Sequence, residues 1–416
     1  ETNKEKYTMK TRFFRTSLAL FLTLSFLFSL SLSALADEYP TQETVVLEDT
    51  SIDVSSLYEE AVEVEGDVLD VAARSAILME AETGSILYEK NTTEHLPIAS
   101  VTKVMTLLLI AEAIDEGVMK LDDMVTVSDT AASMGGSQAY MEAGEQMSLH
   151  EMLKAVAVAS ANDGAVALAE HLCGTVSAFV EKMNKRAKQL GMTETLFLNP
   201  TGLDDDEVPY SCARDVALMS RELVKHELIF NYTTIWMDTI RNGQFGLANT
   251  NKLIRFYNGA TGLKTGSTSK AKYCLSATAK KDGMHLIAVV LASETSPERF
   301  ASAKTLLNYG FATYALITPE VDTSPVKVWG GSKNSVVPTY DITSILVRKE
   351  QKNRITYKVT MDKEFVAPIA KGQVLGKLQF ELDGTLIREI PLTATDEVPK
   401  ITFMERYKRL FTLWFT

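Results

Sequence analysis

Ser100 and Lys103 stand three residues apart in Ser-Val-Thr-Lys, opening a run to Gly117 that is rich in helix formers and apolar nearly all round. On a helix, that spacing sets both side chains on one face, within reach of a proton transfer between hydroxyl and amine. A serine at a helix N-terminus gains further from the free backbone N–H groups there, which stabilise an oxyanion as it forms. The same spacing recurs as Ser267-x-x-Lys270 and Ser269-x-x-Lys272, so it carries little weight alone. Two more segments add to it. Ser160-Ala161-Asn162-Asp163, 60 residues after Ser100, falls at a break between helical stretches and offers a hydroxyl and an amide. Lys264-Thr265-Gly266, 104 residues beyond Ser160, falls on a strand, where Gly266 leaves room for a substrate backbone to pair along the edge. Each has an ordinary structural reading, a helix cap for the first and a strand end for the second. Ser332-Lys333-Asn334 repeats the Ser-x-Asn pattern with no such context.

Other chemistries find less support. His150-Glu151 and His226-Glu227 begin like a zinc-peptidase helix, but Lys154 and Phe230 occupy the positions of the second ligand. No metal and no cofactor is therefore expected. The five histidines are unclustered, and no G-x-S-x-G, G-x-G-x-x-G or P-loop occurs. Cys173, Cys212 and Cys274 lie far apart without C-x-x-C spacing, which suits idle thiols. A net charge of −12 argues against a nucleic-acid partner.

The elements that must position these residues are legible along the 416-residue chain, 46% of it hydrophobic. Residues 1–36 carry a charge of +3 followed by an uncharged run from Leu18 to Leu35 and the small-residue triplet Ala34-Leu35-Ala36. That is the layout of a secretory signal peptide cut after Ala36, with an uncleaved membrane anchor as the alternative. Residues 37–70 hold twelve acidic residues and no basic one, a solvated leader, which leaves 71–416 at −3. Arg74–Glu80 and Ser85–Tyr88 alternate as a hairpin, Leu149–Leu190 and the stretch after Arg214 read as helices, and Thr261–Ala292 returns to strands. A helix from about Pro297 to Tyr309 follows. The reading is an α+β domain over 71–318 whose first and last strands share one antiparallel sheet. Short alternating runs broken by glycines predict a small all-β domain over 319–397. In 398–416, Phe403, Tyr407, Leu410, Phe411 and Trp414 fall on one helical face, the profile of an amphipathic helix on a membrane surface, with core docking as the alternative.

Taken in order, the three motifs resemble those of the penicillin-recognising serine D,D-peptidases, specifically the low-molecular-weight D-alanyl-D-alanine carboxypeptidases of bacterial peptidoglycan metabolism. The resemblance extends to Thr83-Gly84, Leu96-Pro97-Ile98-Ala99-Ser100, Asn199-Pro200-Thr201-Gly202-Leu203, Ala213-Arg214-Asp215, the trailing β domain and the terminal helix. It implies a β-lactamase/transpeptidase-like domain, an exported enzyme at the outer face of the cytoplasmic membrane, stem peptides as substrate and β-lactams as covalent inhibitors. It implies Ser100 as nucleophile, Lys103 as general base with its pKa pushed down by burial and Lys264, and Ser160 as proton relay. Asn162 would hold the substrate amide, Lys264 and Thr265 the terminal carboxylate, and the N–H groups of Ser100 and Ser267 the oxyanion, while Gly266 acts sterically. Cys212 stands where a Thr is expected in the family's pattern, which puts one local contact in doubt. A D,D-endopeptidase, a serine β-lactamase (though no Glu-x-x-Leu-Asn stretch is present) and a silent peptidoglycan-binding scaffold are the rival readings.

Overall fold

The computed structural model describes residues 69–415 apart from 204–207 and 342–343, with the backbone alone at 410 and 412–415. The expected signal peptide, and all but the last two residues of the acidic leader, lie outside the described residues.

The chain opens with the expected hairpin, β1 (Ser75–Glu80) and β2 (Ile86–Lys90), turning through Gly84 at φ 76°. A helical section follows: α1 (Lys103–Asp115), the ribbon β3 (Met124–Thr126) and β4 (Gln146–Ser148), then α2 (Leu149–Ala159), α3 (Asn162–Cys173), α4 (Val176–Gln189) and α5 (Ala213–Leu223). A second ribbon, β5 (Met237–Ile240) and β6 (Phe245–Ala248), leads to β7 (Ala260–Thr268), β8 (Lys272–Lys281), β9 (Met284–Ser293) and α6 (Ser296–Thr313). The sheet order is β2-β1-β9-β8-β7, all antiparallel, so the first and last strands share one sheet and β7 forms its edge.

Because strand side chains alternate, the middle strands must satisfy two cores at once. Ile77 and Met79 of β1 face the helical section, whereas Ala76 and Leu78 face α6 and its Ala303, Leu306 and Leu307. Helix α1 runs through the first core, with ten buried residues including Leu107, Leu108, Leu109 and Ile110. Each such side chain contributes roughly 2 kcal/mol on burial, which explains why the sequence shows no polar stripe there.

The remaining described chain is mostly β. It comprises β10 (Tyr314–Ile317), β11 (Val326–Trp329), β12 (Ser335–Val336), β13 (Pro338–Thr339), β14 (Ile345–Arg348), β15 (Ile355–Met361), β16 (Glu364–Val366), β17 (Val374–Leu382), β18 (Thr385–Ala394) and α7 (Phe403–Phe415). β10, on the near side of the boundary expected at 318, pairs with β14 across it, so the last helix of the first domain feeds directly into the second. The expected 398–416 helix begins later, because Val398 and Lys400 bridge to Ile369 and Gly331. Among the described residues, no helix is long and apolar enough to cross a membrane.

Candidate active site

Ser100 does not open an α-helix, as the sequence suggested. It lies in a 3₁₀ turn, Ala99–Thr102, that precedes α1. With three residues per turn, side chains at i and i+3 eclipse, which brings Ser100 over Lys103 more directly than an α-helix does. Lys103 Nζ lies 3.0 Å from Ser100 Oγ, 2.5 Å from Asn162 Oδ1 and 2.9 Å from the Thr201 carbonyl oxygen. Ser100 is half-buried, and Lys103 is wholly buried.

That burial, followed by the like charge of Lys264, holds the Lys103 amine well below its ordinary value, against an opposing pull from Asp163. A neutral amine has two N–H donors and one lone pair. Asn162 Oδ1 and Thr201 O take the two donors, leaving the lone pair for the Ser100 hydroxyl proton.

Asn162 and its neighbours sit where α2 gives way to α3. Ser160 closes α2 at φ 65°, in the left-handed region, and its buried Oγ has no hydrogen-bond partner among the described residues. Both ends of the Asn162 amide are bonded within the protein. Besides Lys103, its Nδ2 donates to the Gly135 carbonyl at 2.7 Å and its backbone N–H to the Ser137 carbonyl at 2.8 Å. Asp163, buried beside it, accepts from the N–H groups of Ala139, Met141 and Gly164.

The third motif lies on edge strand β7. Lys264 is buried, its Nζ donating to the Thr265 carbonyl at 3.0 Å. Burial first, and then the Arg299 guanidinium, lower its pKa to about 7. Thr265 Oγ1 donates to Thr250 Oγ1 at 2.7 Å, and Ser267 is exposed near the strand end.

Gly266 has a packing reason beside the one the sequence suggested. A Cβ there would come within 2.5 Å of Ile98 O and 3.0 Å of the backbone nitrogens of Ser100 and Val101. The glycine lets β7 touch the turn that bears Ser100. Gly202 is closer still, since its Cβ would fall 1.9 Å from Ala99 O.

Thr201, Gly202 and Arg299 enter the site without having been assigned roles from sequence. Arg299 Nη1 donates to the carbonyls of Gly266 and Cys274, tying β7 to β8 from behind. The Asn-Pro-Thr-Gly-Leu stretch was a visible signal for the first two, and nothing marked the third. Cys212 caps α5 by accepting from Asp215 N–H at 3.5 Å, as a hydroxyl there would, with burial pushing its thiol up to about 12. Among the described residues, no three His, Cys, Asp or Glu side chains are grouped to hold a metal ion.

The profile described as D-alanyl-D-alanine carboxypeptidase matches residues 60–295, and that described as penicillin-binding protein 5, C-terminal domain, matches 311–400. The chain is 45% identical over 350 residues to the D-alanyl-D-alanine carboxypeptidase DacF of Bacillus subtilis, 82% of this chain and 90% of that protein. It resembles the crystal structure of penicillin-binding protein 5 from Haemophilus influenzae with a TM-score of 0.69 at 32% identity, covering 80% of this chain and 100% of that one. Penicillin-binding protein D2 from Listeria monocytogenes, solved in its cefotaxime-bound form, matches with a TM-score of 0.55 at 32% identity over 59% of this chain and 100% of that one.

Proposed function

The chain belongs to the D-alanyl-D-alanine carboxypeptidase family of serine peptidases, and on that premise we propose how its residues divide the work of removing the terminal D-Ala from a peptidoglycan stem peptide. Ser100 Oγ attacks the carbonyl of the penultimate D-Ala while its proton passes to Lys103 Nζ. The backbone N–H groups of Ser100 and Ser267 hold the oxyanion. As the tetrahedral intermediate collapses, the peptide C–N bond breaks, and Ser160 Oγ relays a proton to the departing amine. Water then cleaves the ester and restores Ser100. A buried hydroxyl without a protein partner, as at Ser160, is completed by a substrate amine. Asn162 serves the substrate amide through its carbonyl oxygen and, above all, fixes Lys103. Lys264 and Thr265 receive the terminal carboxylate, the former by charge, with Arg299 adding positive potential behind the strand.

The observation that carries this reading is the dry Lys103 amine, 3.0 Å from Ser100 Oγ and committed to two acceptors. β-Lactams, one of which is bound to the Listeria protein, acylate the same serine in this reading. The direct test is release of D-alanine from a peptide ending in D-Ala-D-Ala by residues 37–416. Ser100→Ala is expected to abolish both release and covalent penicillin labelling, and persistent labelling of that variant would overturn the assignment.

Members of the family act on peptidoglycan outside the cytoplasm. For this chain, the proposal includes export by residues 1–36 and division into a catalytic domain over 71–318, a β domain over 319–397 and a terminal helix that rests on the membrane. Phe403, Met404, Tyr407 and Phe411 are 82%, 61%, 58% and 55% exposed. Arg409 of the same helix is tied to Asn334 Oδ1 at 2.8 Å and to the Ser332 carbonyl. A helix docked into a core through its aromatic face would bury those rings. An exposed aromatic face on a basic helix suits the headgroup region of a bilayer.

A further inference from the structure

The segment from Ser133 to Glu145 has no regular secondary structure and contains Gly135, Gly136 and Gly144, yet it supplies the acceptors that fix Asn162. A Cβ on Gly136 would sit 2.8 Å from Asn162 Nδ2, so the loop lies directly against that amide. Its inner side is held by the Asp163 carboxylate, on Ala139 and Met141 N–H.

Val127 pairs with its end at Gly144 and Glu145, and its outer side is gripped from the β5–β6 hairpin. Arg241, at the tip of the β5–β6 hairpin, donates Nη1 to the Ala139 carbonyl at 2.8 Å and Nη2 to the Tyr140 carbonyl at 3.1 Å. Its Nε and Nη2 also grip Glu145 at 2.7 and 2.9 Å. The fork is backed by the Phe245 ring, 5.4 Å from the guanidinium carbon, and Tyr140 meets the same ring edge-on. The hairpin is itself anchored to α2, through Arg241 N–H to Glu151 Oε1 at 2.8 Å and the Lys154–Asp238 ion pair. Neither Arg241 nor Glu145 reaches Ser100, Lys103 or Lys264.

We propose that Arg241 is a positioning residue for acyl transfer. Its guanidinium clamps the 133–145 loop so that the Gly135 and Ser137 carbonyls hold Asn162, which in turn holds the Lys103 amine on Ser100. The inference rests on the reading of Lys103 as the base. A planar fork spanning two carbonyls and a carboxylate fits one loop conformation, whereas an ammonium cannot span them. Without it, Asn162 keeps its place in α3 but loses fixed acceptors for its amide, and Lys103 loses a fixed partner. Lys264 and Thr265, which receive the terminal carboxylate in the proposed mechanism, are untouched, so the chemical step suffers far more than peptide binding. A misplacement of about 1 Å in a reacting group costs up to about a hundredfold.

The test uses the full chain in detergent and compares Arg241→Gln and Arg241→Lys with the parent, each alone and combined with Asn162→Ala. kcat and KM for D-alanine release, the rate of covalent β-lactam labelling and Tm are measured, with Ser100→Ala alongside. Both Arg241 variants are expected to lower kcat and the labelling rate by about tenfold to a hundredfold with KM unchanged within about twofold. In the Asn162→Ala background, the same substitutions are expected to cost nothing further, because the pathway is already cut. Equal losses in both backgrounds, a loss confined to KM, or parental rates would overturn the inference. If Arg241→Gln fails to fold, Arg241→Lys retains the charge and the hairpin and decides alone. Labelling that persists in Ser100→Ala would instead overturn the assignment of the nucleophile, whatever Arg241 does.

Discussion

Two lysines with depressed pKa values meet in the site, and in the proposed mechanism they titrate for different purposes. Lys103 must be neutral to accept a proton, so protonation as the pH falls removes the base. Lys264 must be charged to attract a carboxylate, so deprotonation as the pH rises through about 7 weakens capture of a free C-terminus. The expected kcat/KM profile is a bell whose alkaline limb belongs to Lys264 in the free enzyme. Repeating the profile with the C-terminal carboxylate amidated should remove that limb, and an unchanged limb would assign it elsewhere. Lys264 also links to stability. Its folded value of about 7 lies below the ordinary 10.5, so between those values the unfolded chain binds more protons and stability rises with pH. Below about 7 the full cost of burying the ammonium is present. Lys264→Met is expected to abolish turnover yet gain about 1–4 kcal/mol near pH 6, with the gain shrinking toward about pH 10. Melting curves at both pH values check this. The paired hydroxyl and amine and the third-motif lysine were legible because side-chain chemistry at fixed spacing is written in letters. The carbonyls of Thr201, which accepts from Lys103, and of Gly135, which fixes its partner Asn162, were not, because every residue carries a backbone acceptor.

The elements meet at positions where no side chain fits. Strand β7 approaches the Ser100 turn so closely that Gly266→Ala would drive a Cβ to 2.5 Å from Ile98 O, backbone that cannot swing aside. The expected outcome is a loss of β-lactam acylation of about a hundredfold or more, with the second domain still folded. Labelling rate and the far-ultraviolet circular dichroism spectrum read the two separately. The sequence showed the glycine and its strand but not the packed turn beside it, since that contact is visible only once the turn is placed. The helices were legible from apolar periodicity, and α1 is buried as its lack of a polar stripe foretold. The change from 3₁₀ to α at Lys103 was not, because both forms accept the same residues and tertiary contact selects between them. Arg241 and Arg299 went unnoticed for a related reason. Their partners at 139–145 and at 266 and 274 lie too far along the chain for any local pattern to join them.

At the scale of the molecule, the catalytic and β portions are joined through α6 and β10, which pairs with β14, and the terminal helix is tied back to the turn at 332–334 by Arg409. Removing 400–416 is expected to release the protein from anionic lipid vesicles while leaving D-alanine release unchanged, and co-sedimentation with and without the deletion measures it. Unaltered co-sedimentation would place the membrane contact elsewhere. The main sheet carries one more consequence. Ile77 of β1 pairs with Val289 of β9, and Leu286, Ile287 and Ala288 complete the same ladder. One edge of the first strand pairs at once with β2, but the other waits for a partner about two hundred residues downstream. Closing so long a loop precedes any reward from pairing, which makes sheet formation a late and slow event in folding. A chain emerging in N-to-C order can assemble α1 to α5 early, but Lys264 cannot be set against Lys103 until β9 is inserted between β1 and β8. Chemical competence thus arrives when the sheet closes, and a fragment that ends before β9 does not possess it.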